Sequence, residues 1–126
     1  MMNDKLVELN TLLAAPAFFV FLRNIDIDDA LDRRDEPAFD RVWNDNFRRT
    51  EKRILPPETL TFIDGLREKS FKDAFRLTQD DELAARISDD IALIAKDIAL
   101  ETADSWPVNV LWPAYKRGVF PTQGEI

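Results

Sequence analysis

With 126 residues, 45% of them hydrophobic, and a formal net charge of −7, the chain is long enough for one hydrophobic core. Its charge has the wrong sign to hold nucleic-acid phosphates or an anionic membrane surface. It contains no Cys and no His, which excludes a disulfide framework, a thiolate zinc site, a cysteine nucleophile, the Ser-His-Asp arrangement and the commonest general base.

Helix-forming residues dominate, Gly is limited to three positions and β-branched runs are missing, so helix is the expected backbone throughout. Leu6, Val7, Leu9, Leu12 and Leu13 recur at near-helical spacing and predict a first helix from Asp4 to Leu13, with Asp4 at the positive end of its dipole. The apolar run Leu12 to Leu22 is broken by Pro16 and is about half a membrane span, so it reads as core. Ala17 to Arg23 reads as a short second helix, although its aromatic run also fits a buried strand. Asp4 and Glu8 stand where a signal peptide needs positive charge, so the expected location is cytoplasmic.

Residues 24–36 are acidic, with a thin apolar face of Ile25, Ile27, Ala30 and Leu31, and read as a loop leading into a short helix. Pro37 opens a helix whose Phe39, Trp43, Phe47, Thr50 and Ile54 share a face, with Arg48, Arg49, Lys52 and Arg53 crowding its last turns before Pro56-Pro57. From Glu58 a further pattern runs through Leu60, Ile63 and Leu66, with Asp64-Gly65 as a candidate break and Ser70 with Asp73 as a candidate restart cap. The longest pattern spans Gln79 to about Ala103, capped by Thr78 or Asp80, with Leu83, Ala84, Ile87, Ile91, Ile94, Ala95 and Ile98 on one face. A last helix starts near Ser105 and Pro107, carries Val110, Leu111, Trp112 and Tyr115, and stops at Gly118, leaving residues 118–126 as a tail. The expectation is an all-α, compact single-domain bundle of about six or seven helices spanning residues 1–126.

Three acidic patterns bear on metal chemistry. Asp28-Asp-Ala-Leu-Asp32 matches the metal-diphosphate motif of prenyl-transferring enzymes over five residues only, without the second motif those enzymes need. Asn24, Asp26, Asp28 and Asp32, with Asp35 in twelfth place, have the spacing of an EF-hand loop, but Asp29 stands where that loop needs Gly. Glu101-x-x-Asp104 is one half of the carboxylate set of helical nucleotide pyrophosphatases, and the other half is missing. No cofactor is expected. Asp26, Asp28, Asp32 and Asp35 remain as the metal ligands of an alternative reading, a metal-dependent hydrolase or metal-binding regulator.

Charge is segregated along the chain. Residues 24–46 carry eight acids against three bases, residues 47–76 five against eight, and residues 77–106 eight against two. On the longest helix Leu93 and Leu100 interrupt an acidic stripe. Either a neighbouring element such as the Trp112–Tyr115 helix covers them, the more economical reading for a central helix, or they form an exposed contact patch. The favoured functional expectation is a small, non-catalytic protein that covers a basic surface of a protein partner, as small bacterial immunity proteins and enzyme inhibitors do. Glu82, Asp89, Asp90, Leu93, Asp97 and Leu100 are the expected contact residues, and neither nucleic acid nor membrane is an expected partner.

Overall fold

The structure is a computed structural model that describes residues 3–102 and 104–122. Six α-helices carry the chain: α1 (Asp4–Leu13), α2 (Ile27–Arg34), α3 (Pro37–Glu51), α4 (Pro57–Thr78), α5 (Asp81–Ala99) and α6 (Trp112–Lys116). A 3-10 segment, Val20–Asn24, follows α1, and a turn of π-helix, Pro107–Leu111, runs directly into α6. There is no strand among the described residues; the expected helix over Ala17 to Arg23 is a turn at residues 17–19 and the 3-10 segment after it.

Local chemistry sets the boundaries. The side chain of Asn3 accepts from the Lys5 N–H at 2.8 Å and caps α1, which buries Leu6, Leu9 and Leu13. Asp26 accepts from the Asp29 N–H at 3.1 Å and caps α2. Pro37 occupies the first turn of α3, which ends at Glu51, earlier than its apolar pattern suggests. Phe39 and Thr50 of that pattern are buried and Trp43 is half-buried, whereas Phe47 is 39% exposed and Ile54, beyond the helix end, is 94% exposed.

The candidate break at Asp64-Gly65 does not occur, and α4 runs unbroken through it. Gly65 lies on an exposed face with nothing within 4 Å of where a Cβ would stand, and one such glycine costs a long helix only about 1 kcal/mol. Ser70 is accordingly a buried mid-helix residue, not a cap, and Asp73 pairs with Lys69 at 2.6 Å. Gln79 ends α4 in the left-handed region at φ 57°, and Asp80 caps α5 by accepting from the Leu83 N–H at 2.8 Å. That two-residue connection folds α5 back along α4, and the two form the most extensive helix pair of the molecule.

Helix α5 is central, packed against α1, α3, α4 and the Pro107–Leu111 turn. Its expected apolar face is buried, and so are Ala92 and Leu93 on the other side. Trp112 and Tyr115 are core residues, and Trp112 stacks on Phe18 with centroids 5.7 Å apart. Gly118, at φ 75°, closes α6 as expected. Within the expected tail, residues 118–126, Phe120 and Pro121 are buried; residues 123–126 lie outside the described residues.

Candidate functional site

The polar centre of the molecule is Asp90, a carboxylate on α5 with no solvent exposure. Its Oδ1 accepts from Arg34 Nη1 at 3.1 Å and from the indole N–H of Trp43 at 2.9 Å. Its Oδ2 accepts from Arg34 Nη2 and from the Tyr115 hydroxyl, the latter at 2.6 Å. Arg34 completes its own bonding by donating from Nε to the Pro121 carbonyl at 2.7 Å, and its guanidinium lies between the rings of Phe39 and Phe120 at 4.2 and 4.3 Å. One carboxylate thus ties α2, α3, α5, α6 and the chain after α6 together, and a buried charge persists only with this degree of pairing. Burial, and then the charge of Asp90, push the Tyr115 hydroxyl well above the ordinary tyrosine range.

Two turns further along α5, Asp97 repeats the device at smaller scale. Also without solvent exposure, it accepts from Arg49 Nη1 at 2.8 Å and Arg49 Nη2 at 2.7 Å, while Nη2 also donates to Asn46 Oδ1 at 2.7 Å. Lys96 reaches Glu51 at 3.2 Å, so α3 is clasped to α5 at several points by charge.

These contacts redistribute the six stripe residues. Asp90, Leu93 and Asp97 are buried, against the expectation that they face a partner, because Arg34 of α2 and Trp43 and Arg49 of α3 close over the two carboxylates on that side of α5. Leu100 is half-buried, Asp89 is half-buried and paired with Arg67 at 2.7 Å, and Glu82 is exposed. The Asp89 carboxyl is raised above the ordinary range, first by burial and then by neighbouring Asp90, with Arg67 opposing. Nothing local in the sequence marks Arg34 and Arg49 as the partners of Asp90 and Asp97, which lie 56 and 48 residues away. The one available signal is that Asp90, Leu93 and Asp97 share a sector, so a carboxylate buried with Leu93 requires a base.

The surface left by this arrangement is acidic at one corner. All eight acids between residues 24 and 46 are exposed, whereas Arg34, one of the three bases there, is consumed inside. Among the described residues no ion pair involves Asp28, Asp32, Glu36 or Asp40. Arg86 links the corner to α5 by pairing with Asp35 at 3.0 Å, with Glu82 at 3.8 Å on its other side. Between the corner and α5 lies a hollow of about 260 Å³ lined by Asp35, Phe39, Asp40, Trp43, Arg86 and Asp89, among others. A larger hollow of about 630 Å³ lies elsewhere, between the start of α1, the Leu55–Thr59 stretch and Asp97–Thr102.

The alternative metal set does not assemble as a calcium loop. Asp28 and Asp32 lie within α2, Asp26 caps it and Asp35 follows it, so the backbone is helical where an EF-hand loop must wrap an ion. Asp35 is turned to Arg86, and no three acids among the described residues converge as a metal site.

For this all-α bundle a comparison with family models supplies the class, that of an immunity protein. The family model described as immunity protein PIM1 matches residues 8–122, nearly the whole chain, and the chain belongs to that family. Membership implies a protein partner, a toxin. No curated protein matches the sequence. Among the described residues no helix is long and apolar enough to cross a membrane.

Proposed function

We propose that this immunity protein acts by binding, without catalysis, and that it neutralises its toxin by covering a basic surface with the acidic corner of α2 and the first half of α3. Asp28, Asp32, Glu36 and Asp40 supply the field, and Glu82 and Asp89 extend it on to α5 through Arg86. The observation that carries the reading is the burial of Arg34 against Asp90, which leaves every acid of the corner outside and removes a base from among them. Carboxylates held on short helices without ion-pair partners form a field that steers a basic partner and costs little to desolvate at an interface rim.

The contact surface is therefore moved from the α5 stripe to the corner. Reversing Asp90 or Asp97 would test the core and not the surface. The direct test is protection in cells producing the cognate toxin, which is sought first in the neighbouring reading frames. Wild-type protein should rescue growth, whereas the Asp28→Lys, Asp32→Lys, Glu36→Lys variant should not, although its helical circular dichroism spectrum is unchanged. Full rescue by that folded variant would move the toxin to another face.

A further inference from the structure

The hollow beside the corner has a more specific chemistry than the corner itself. Its wall is the indole of Trp43, held edge-inward by the bond from Nε1 to Asp90 at 2.9 Å and stacked on Phe47 with centroids 5.5 Å apart and rings 16° from parallel. The aromatic step already receives a cation from its own chain, since the Lys96 ammonium lies 5.8 Å from the Phe47 centroid. Carboxylates stand at the lining with acceptor capacity to spare. Asp35 and Asp89 each engage an arginine through Oδ1, at 3.0 and 2.7 Å, and Asp40 receives only the Asn44 amide, at 3.1 Å. Arg34 and Asp90 neutralise each other beneath the lining, so three carboxylates, Asp35, Asp40 and Asp89, face Arg86 and, from outside the hollow, Arg67, which leaves the lining negative by the one carboxylate of Asp40.

The geometry points to an arginine-accepting site: one arginine side chain of the toxin enters the hollow between α3 and α5, stacks on Trp43 and forks to Asp40 with Asp89 or Asp35. A guanidinium is preferred to an ammonium because it is flat, stacks on an indole and presents parallel N–H groups to carboxylates. Burial of Asp89 in the free protein adds to the fit, because an incoming cation relieves the cost of its charge. Anchors of this kind, an aromatic wall with a desolvated arginine, carry a large share of interface energy. The inference rests on the reading that the toxin is basic where it meets the corner, but the site itself can be probed without the toxin.

The probe is arginine amide, followed by the indole N–H resonance of Trp43, with Trp43→Phe used to assign that resonance. A saturable shift with a midpoint on the order of millimolar is expected from arginine amide, a smaller one from lysine amide and none from citrulline amide, which keeps the α-amine but has a neutral side chain. Asp40→Asn, an exposed change that leaves the Asp90 cluster intact, should weaken arginine amide by about threefold or more. Absence of a saturable Trp43 shift, an equal shift from citrulline amide, or indifference to Asp40→Asn would overturn the site. Toxin binding that is sensitive to reversal of the corner, with no arginine amide response, removes this inference alone. An arginine amide response with toxin binding that ignores the corner removes the proposed function and leaves the hollow as a guanidinium site.

Discussion

Asp90 accepts four hydrogen bonds in a site without water access, so removing it strands Arg34, Tyr115 and the Trp43 indole together. Asp90→Ala should destabilise the protein by about 3 to 5 kcal/mol, whereas Asp32→Lys on the exposed side of α2 should stay within about 0.5 kcal/mol. Urea unfolding of both decides; similar small losses would mean that Asp90 is not the centre described. Tyr115 adds a pH signature. Its hydroxyl titrates well above its ordinary value of 10.0 in the folded protein, so the fold retains a proton that the unfolded chain releases. Stability is therefore fully present below about pH 10 and declines as pH rises from there towards the folded value. Tyr115→Phe should flatten that alkaline decline, and an equal slope in both proteins would contradict the assignment.

At the scale of the element, periodicity was informative wherever burial is continuous. The bounds of α1, the apolar face of α5 and the stop at Gly118 follow from apolar spacing, caps and the freedom of glycine, all of which act within a few residues. What escaped depends on pairs distant in sequence. Asp90 and Asp97 look like solvated acids on a wheel because Arg34 and Arg49 belong to other helices, and no local pattern carries that information. The early end of α3 has a similar origin: Ile54 fits the helical period but is left exposed, and Phe47, inside the helix, is covered only in part, by Trp43 and Lys96. Trp43→Ala should accordingly cost about 3 kcal/mol, for lost packing and one of the two hydrogen bonds to Asp90 Oδ1, against less than about 0.5 kcal/mol for Ile54→Ser. Gly65→Ala should stabilise by about 0.5 to 1 kcal/mol, because the added methyl meets nothing and the unfolded chain loses freedom. A destabilised Gly65→Ala protein would show that α4 bends or is covered there.

At the scale of the whole molecule, the segregation of charge was legible but its address was not. The acids of residues 77–106 divide between inner clasps and the surface, while those of residues 24–46 all remain outside, and only the folded chain distinguishes the two groups. The contact surface we propose moves with it, from the stripe of α5 to the corner of α2 and α3, with Glu82 and Asp89 retained at its margin. Long-range attraction between such a corner and a basic toxin acts on the rate of encounter and is screened by salt over about 8 to 10 Å. The most direct test is the association rate of the purified toxin with wild-type protein and with the Asp28→Lys, Asp32→Lys, Glu36→Lys variant, at low and at physiological salt. The account predicts a wild-type rate that falls steeply with salt and a variant rate lower by about tenfold or more at low salt, with most of the salt dependence gone. An unchanged association rate in a variant that retains its helical spectrum would contradict it.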